Sequence, residues 1–223
     1  MDRRLVLFAR EPVAGRVKTR LALSIGAPAA CRLYGAMLED LAGQLPSPAE
    51  WQAVLAHDGA APGPVLGRLF GTGWLAVPQG GGGLGERLVR VLDRSAAEGA
   101  RATVVAGSDA PSLTAERVRE AFRALGEGGA RVALAPSPDG GYSLLGATRE
   151  VPASALLGDV RWSTPDARGD TVAAARELGI PVALLDEVPD VDTREDLGRL
   201  AGILAEAGPG RRTRAVLAEL ERP

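Results

Sequence analysis

The sequence predicts an α/β fold with a mainly parallel β-sheet flanked by helices. Short apolar runs rich in Val, Leu and Ala recur along the chain, and their hydrophobicity is continuous rather than alternating. That pattern is typical of strands buried on both faces, as in a parallel sheet. Segments with helical periodicity lie between the runs. Strand–helix alternation of this kind indicates helices layered on a sheet.

The elements follow in chain order. The predicted strands are residues 5–9, 51–56, 74–77, 102–106, 131–135 and 181–185. A further strand at residues 142–146 follows a Gly-Gly turn, and the sequence leaves its antiparallel pairing open. Helical periodicity is clearest over residues 27–45, 85–98 and 114–125, and residues 207–214 suggest a linker into a terminal helix at 215–220. No shift in composition marks a boundary, so we expect one domain over residues 1–223.

Composition excludes several classes of protein. The net charge of −2 argues against bulk affinity for nucleic acid or a membrane surface. No stretch approaches the ~20 unbroken apolar residues of a membrane span, and the apolar run at residues 5–9 is too short for a signal peptide. The lone Cys31 cannot form an internal disulfide, which suits a reducing cytoplasm. With one His and one Cys in the chain, we expect neither a zinc site nor Ser-His-Asp or Cys-His catalysis.

Lysine is nearly absent from the chain. Of the 26 basic residues, 25 are Arg and the remaining one is Lys18. A position that stays Lys under such a bias can be one that needs a compact ammonium rather than a planar guanidinium. Chance survival is the alternative explanation.

The first candidate site loop directly follows the first predicted strand. It combines the cations Arg10, Lys18 and Arg20 with Pro12 and Gly15, which stiffen and tighten the turn. Backbone N–H groups and cations in one short loop favour polyphosphate binding. The spacing is not that of a Walker A loop. The alternative is a solvated basic turn.

A glycine-rich loop at residues 79–87 includes the candidate binding residues Gln79, Gly85 and Arg87. Its glycines satisfy the dinucleotide-binding spacing literally, but Pro78 disturbs the tight strand-to-turn junction which that fingerprint needs. We therefore interpret it as a flexible loop that closes over a substrate, with a plain linker as the alternative.

Carboxylates mark the remaining site loops. Ser108 and Asp109 follow a predicted strand, where a carboxylate is well placed to hold Mg²⁺, although Asp109 could simply begin a helix. In the acidic segment 190–196, Asp192 could be a helix cap, a second metal contact or a base.

Two turns complete the candidate site. Asp139, Gly140, Gly141 and Tyr142 form a turn whose glycines would let a ligand approach the backbone, although a plain hairpin would look similar. The segment at residues 162–165 (Trp-Ser-Thr-Pro) could start a helix with a buried Trp or could equally wall a pocket.

Taken together, these segments resemble a bacterial GT-A-type glycosyltransferase family long catalogued as a domain of unknown function and linked by name to arsenosugar biosynthesis. The residues that carry the resemblance are 8–21, 84–87, 107–113, 138–142, 162–165 and 190–197. Arg10 stands where the family often has Lys, and Gly83 where an acid is common. The resemblance implies a nucleotide-diphospho-sugar transferase fold, a superfamily that also contains nucleotidylyltransferases.

The function that the resemblance favours is a metal-dependent glycosyltransferase using a nucleotide-activated donor and a small acceptor. Asp109 would hold Mg²⁺ or Mn²⁺ against a diphosphate that Lys18, Arg10 and Arg20 neutralise. Tyr142 and its preceding glycines would shape the sugar pocket.

An acid, either Asp139 or Asp192, would orient or deprotonate the acceptor. The alternative function is a nucleotidylyltransferase in which Asp109 and Asp192 clamp the metal, and a third hypothesis is a nucleotide sensor without turnover. Whether the protein is a homodimer stays open. All these hypotheses require Lys18 and Asp109 to face the same phosphate group.

Overall fold

The computed structural model describes residues 2–45, 49–206 and 210–220. Within these residues lie seven strands and nine helices. The strands are β1 (Arg3–Ala9), β2 (Gln52–His57), β3 (Trp74–Pro78), β4 (Ala102–Gly107), β5 (Val132–Pro136), β6 (Tyr142–Thr148) and β7 (Val182–Leu184). The helices are α1 (Thr19–Ile25), α2 (Ala27–Gln44), α3 (Pro64–Phe70), α4 (Leu84–Ala97), α5 (Ala115–Gly126), α6 (Ala153–Leu157), α7 (Ala167–Glu177), α8 (Arg194–Glu206) and α9 (Arg211–Leu220).

The strands form one sheet in the order β3-β2-β1-β4-β6-β5-β7. All neighbouring pairs are parallel except those of β6, which runs antiparallel to both β4 and β5. The prediction of an α/β fold with a mainly parallel sheet is confirmed, and the open question about residues 142–146 is resolved as an antiparallel strand.

Helices cover both faces of this sheet, which explains the continuous apolar runs. In β1, Leu5 and Leu7 contribute to one buried cluster, together with residues of α2, α5 and α8. Val6, between them, points into a second cluster with residues of α4, α6 and α7. Because successive side chains of a strand point to opposite faces, a strand covered on both sides must be apolar throughout.

The prediction of a linker over residues 207–214 is wrong for its second half, because α9 begins at Arg211. Residues 207–209 lie outside the described residues. The start of α9 is stabilised by a side chain from α2: the buried carboxylate of Asp40 accepts hydrogen bonds from Arg212 N at 2.9 Å, Thr213 N at 2.8 Å and Thr213 Oγ1 at 2.7 Å. Asp40 therefore acts as a helix cap supplied by another helix.

Replacing Asp40 with Ala is expected to lower the free energy of unfolding by about 2 kcal/mol, because three donors at the start of α9 lose a charged acceptor. Chemical denaturation would measure the change. The neighbouring Glu39 is a matched control, since it makes only partly exposed ion pairs with Arg68 at 3.6 Å and Arg212 at 3.5 Å. Glu39→Ala is expected to cost less than about 0.5 kcal/mol. Equal effects of the two substitutions would contradict the capping role.

Candidate functional site

The candidate site lies where the chain changes direction across the sheet. From β1 the chain proceeds to β2 and β3 on one side, and then returns to β4 on the other side of β1. The loops that leave the carboxyl ends of β1 and β4 therefore separate at this point and open a crevice, which is the usual ligand position in such sheets. A cleft of about 640 Å³ occupies this place, a volume typical of small-molecule sites.

Lys18 lines the cleft and lies at the start of α1. Its backbone has φ 48°, a left-handed conformation that residues other than glycine rarely adopt. Its side chain is only 3% exposed, and Nζ contacts a carboxylate oxygen of Asp109 and lies 3.0 Å from Oδ1 of Asp192. The ring of Tyr34 lies beneath the ammonium, 5.8 Å from Nζ to the ring centroid. The lysine that the sequence singled out is thus a buried cation shared by two acids.

Backbone contacts hold the two acids in place. Ser108 N donates to Phe8 O at 3.1 Å, which fixes the start of the β4 loop, and Val191 N donates to Asp109 O at 3.0 Å. Asp109 and Asp192 keep 48% and 41% of their side-chain surface exposed. Both carboxylates therefore contact Lys18 on one side and remain open to the cleft on the other.

The helix-cap alternative for Asp192 is resolved by its neighbour Asp196. The carboxylate of Asp196 accepts hydrogen bonds from Asp192 N at 3.0 Å and Thr193 N at 2.7 Å. Asp196 is therefore the capping acid of α8, and the carboxylate of Asp192 is directed to Lys18 instead.

Acids set the electrostatics in the immediate surroundings of Lys18. Burial alone would lower the pKa of Lys18, but the charges of Asp109 and Asp192 outweigh it, so that its pKa rises above the ordinary value. Burial raises the pKa of Asp190 to about 7, and the charges of Asp139 and Asp192 add to this shift. The acids near Lys18 therefore outnumber it, and other cations of the cleft are needed to balance them.

The carboxylates of the cleft suit a metal ion that is bound partly by the protein and partly by the phosphates of a substrate. Among the residues that the structure describes, no group of three or more His, Cys, Asp or Glu side chains could hold an ion by itself. Asp109 and Asp192 nevertheless converge on one cationic atom, which shows that they are close enough to share a cation. Mg²⁺ commonly takes one or two carboxylates together with substrate phosphates and water. These two acids fit that arrangement.

The predicted cations line the same cleft. Arg10 and Arg20 follow β1, and Arg87 lies on α4. Nη1 of Arg20 is 4.0 Å from Oδ2 of Asp192, and 69% of the Arg20 side chain is exposed. Two exposed guanidinium groups beside a buried ammonium provide the charge that a diphosphate requires.

Gln79 lines the cleft and has a structural role. It is buried, and its amide nitrogen donates to Ala9 O at 3.2 Å and Ala56 O at 2.8 Å, joining the ends of β1 and β2. Its amide oxygen accepts from Nη1 of Arg87 at 3.3 Å. These bonds connect the glycine-rich loop to the sheet.

Three predicted glycines do not line the cleft, namely Gly15, Gly85 and Gly140. Gly15 has φ 80° and turns the first loop. A Cβ at Gly85 would collide with the indole of Trp162, and a Cβ at Gly140 would collide with the backbone of Pro165. The two latter positions therefore need glycine because another segment of the chain, rather than a ligand, approaches closely.

The Asp-Gly-Gly turn is stabilised from within. Oδ1 of Asp139 accepts hydrogen bonds from Gly141 N at 2.9 Å and from Ser137 Oγ. The hydroxyl of Tyr142 lies 3.2 Å from Thr171 Oγ1, and burial raises the pKa of this tyrosine well above its ordinary range. Asp139, Gly141 and Tyr142 all line the cleft.

A family model described as "Uncharacterized protein conserved in bacteria (DUF2064)" matches residues 41–164, which is more than half of the chain. The chain belongs to the DUF2064 family. No curated protein matches the sequence.

Solved structures place this DUF2064 protein among nucleotide-diphospho-sugar transferase-like folds. A candidate nucleotide-diphospho-sugar transferase from Desulfovibrio desulfuricans G20 is 27% identical with a TM-score of 0.85, over 98% of this chain and 94% of that one. A CMP:2-keto-3-deoxy-manno-octonic acid synthetase complexed with CTP is 16% identical with a TM-score of 0.53, over 92% and 99% of the two chains. A 4-diphosphocytidyl-2C-methyl-D-erythritol synthase from Anaerococcus prevotii is 8% identical with a TM-score of 0.58, over 92% and 98%. The similarity to these last two proteins extends to the fold alone.

Sequence reasoning missed part of the cleft. Tyr34 was not singled out, although its hydroxyl lies 2.8 Å from Ser108 Oγ and accepts from Arg10 N at 3.0 Å. Burial, with the charge of Asp109, raises the pKa of Tyr34 to about 12. Trp162 and Ser163 line the cleft, which agrees with the pocket-wall alternative.

In the part of the DUF2064 protein that the structure describes, no helix is both long and apolar enough to cross a bilayer.

Proposed function

We propose that this DUF2064 protein is a metal-dependent glycosyltransferase that moves a sugar from a nucleotide-diphosphate donor to a small acceptor. The observation that carries the proposal is the convergence of Lys18, Asp109 and Asp192 in the cleft at the switch point of the sheet. The choice of sugar transfer is supported by the relationship to the candidate nucleotide-diphospho-sugar transferase, at 27% identity over 98% of this chain.

The cations of the first loop would stabilise the leaving group. As the bond between sugar and diphosphate breaks, negative charge grows on the departing phosphate, and fixed donors that face this charge lower the barrier. Lys18 is the best placed of these donors because its ammonium is buried and held by two acids. Arg10 and Arg20 line the same cleft and would neutralise the outer phosphate oxygens.

A divalent metal, when bound, would supply further positive charge to the diphosphate. Asp109 and Asp192 would hold it, as they remain open to the cleft.

Asp139 would orient the acceptor. Among its contacts with the described residues, both hydrogen bonds go to Oδ1, so Oδ2 is left to accept a bond from an acceptor hydroxyl. The turn that fixes Oδ1 would keep this carboxylate in one position.

The test is to incubate the protein with nucleotide sugars and a panel of hydroxylated acceptors, with and without Mn²⁺ or Mg²⁺. We expect metal-dependent release of nucleoside diphosphate, and its loss in Asp109→Asn. Asp186→Asn is a matched control, because that carboxylate is 80% exposed and pairs with Arg117; it should leave activity unchanged. Full activity after chelation, or in Asp109→Asn, would contradict the metal assignment.

The second candidate is a nucleotidylyltransferase. It is favoured by the same pair of acids, since carboxylates that share a cation next to a lysine also suit an in-line displacement at the α-phosphate. Nucleoside triphosphates and phosphorylated small molecules would then yield pyrophosphate. Pyrophosphate formation without any release of nucleoside diphosphate from nucleotide sugars would replace the first candidate with the second. A nucleotide sensor, by contrast, would bind nucleotides without forming either product.

A further inference from the structure

The turn between α6 and α7 contributes a part of the cleft that the mechanism above does not use. Trp162, Ser163 and Thr164 line the cleft together with Lys18 and Asp109. These three residues have no part in the proposed phosphate or metal binding. They are therefore available to bind another portion of the substrate.

This turn is anchored at two points. The indole of Trp162 packs edge-on against the ring of Tyr142, with centroids 6.0 Å apart at 79°, and its nitrogen lies against Gly85 at the start of α4. The backbone of Pro165 packs against Gly140 in the Asp-Gly-Gly turn. Both anchor points need glycine, so the turn is fitted to the two loops that border the cleft rather than loosely placed beside them.

Ser163 has a backbone conformation that residues other than glycine rarely adopt. Its φ is 62°, and within the described chain Lys18 is the other non-glycine residue with positive φ. Such backbone strain clusters at functional sites, where the surrounding structure maintains it. Ser163 is exposed, and neither its N–H nor its hydroxyl hydrogen-bonds to any residue that the structure describes. The N–H and hydroxyl of Ser163 are therefore available to bind a ligand in the cleft.

We propose that the Trp162–Ser163 turn is a subsite for a polyhydroxylated group, such as the sugar of the donor or a hydroxylated acceptor. The proposal rests on the proposed function, because the nucleotide must occupy the Lys18 end of the cleft. An apolar ring with a few fixed polar groups is the composition expected of a small-molecule subsite. Here the ring is the indole of Trp162, and the polar groups are the Ser163 hydroxyl and the carboxylate of Asp139, whose neighbour Gly140 contacts the turn.

The two sources of the polyhydroxylated group can be separated by calorimetry. In the donor arm, UDP, GDP, CDP and dTDP are each compared with one of their nucleotide sugars, so that the difference in affinity reports the sugar. In the acceptor arm, a panel of free hexoses is titrated into protein saturated with the nucleoside diphosphate. We expect Ser163→Ala and Trp162→Phe to weaken sugar-dependent binding by about 3–10-fold in one arm, the effect of one lost hydrogen bond or ring contact. Binding of the nucleoside diphosphate itself should stay within about twofold.

Two controls distinguish recognition from a structural effect. Trp74→Phe changes a tryptophan that packs on Phe70 outside the cleft, and it should leave sugar-dependent binding intact. Ser163→Gly removes both the hydroxyl and the strain, so it should raise Tm by about 2–4 °C while it weakens sugar-dependent binding as much as Ser163→Ala does.

The outcomes are separable. Suppose that the Ser163 and Trp162 variants bind nucleoside diphosphates normally and that their sugar-dependent affinity is unchanged in both arms. That result would overturn the subsite and leave the proposed function standing. A protein that binds none of the nucleotides would overturn both.

Discussion

Replacing Lys18 with Ala is expected to lower kcat/KM for the transfer reaction by about 30- to 1,000-fold, which corresponds to about 2–4 kcal/mol of lost stabilisation of the leaving phosphate. The ammonium is the cation of the cleft that is almost fully buried, and a charge shielded from water acts more strongly on a neighbouring phosphate than an exposed one. Steady-state kinetics with the donor identified by the product assay would measure the loss. Arg16→Ala is a suitable control, because Arg16 is an exposed cation of the same loop that does not line the cleft.

Lys18→Arg should also be impaired. Nζ lies between Asp109 and Asp192 above the ring of Tyr34, and the side chain is 3% exposed, so a larger planar guanidinium cannot take the same position. A fully active Lys18→Arg protein would show that the scarcity of lysine in the chain has no functional meaning here. A fully active Lys18→Ala protein would remove the loop from the catalytic site altogether.

The strands were predictable because the feature that determines them, a run of apolar residues, lies within a few consecutive positions of the sequence. A strand covered on both faces is apolar where both sides are buried, and β1 shows this pattern from Leu5 to Ala9 and β4 from Val104 to Ala106. The meeting of Lys18 with Asp109 followed from the same logic, since the loops that carry them leave the carboxyl ends of the adjacent parallel strands β1 and β4. By contrast, α7 was not predicted, because the residues that it buries are Ala167, Thr171 and Ala175. These small or polar side chains do not form an apolar stripe in the sequence.

Contacts between distant segments could not be predicted. Gly85 and Gly140 were assigned to ligand binding, but the sequence does not reveal that Trp162 and Pro165 are the groups that approach them. The left-handed conformation of Ser163 likewise leaves no trace in residue type, since serine is not a residue that normally marks it. Tyr34 lies in the middle of α2, and only the packing of that helix places its ring below Lys18.

Removing both acids that contact Lys18 is expected to destabilise the fold as well as abolish activity. In the double variant Asp109→Ala/Asp192→Ala, the ammonium would lose both carboxylates that contact it, which is the costly way to break a buried ion pair. Because both carboxylates are partly exposed, we expect a loss of about 2–3 kcal/mol in the free energy of unfolding, below the usual range for a fully buried pair. Chemical denaturation at neutral pH would measure it.

A third substitution makes this stability prediction specific. Adding Lys18→Met to the double variant replaces the unpaired cation with an apolar chain of similar length, and it should restore most of the lost stability while activity stays absent. The pair Asp186→Ala/Glu120→Ala provides the comparison, since both acids contact Arg117, which is 29% exposed and can reach water. That variant should lose less than about 1 kcal/mol. If Lys18→Met lowers stability further instead of restoring it, the lysine is not an uncompensated charge in the double variant, and its buried ammonium is not held in the cleft by these two acids.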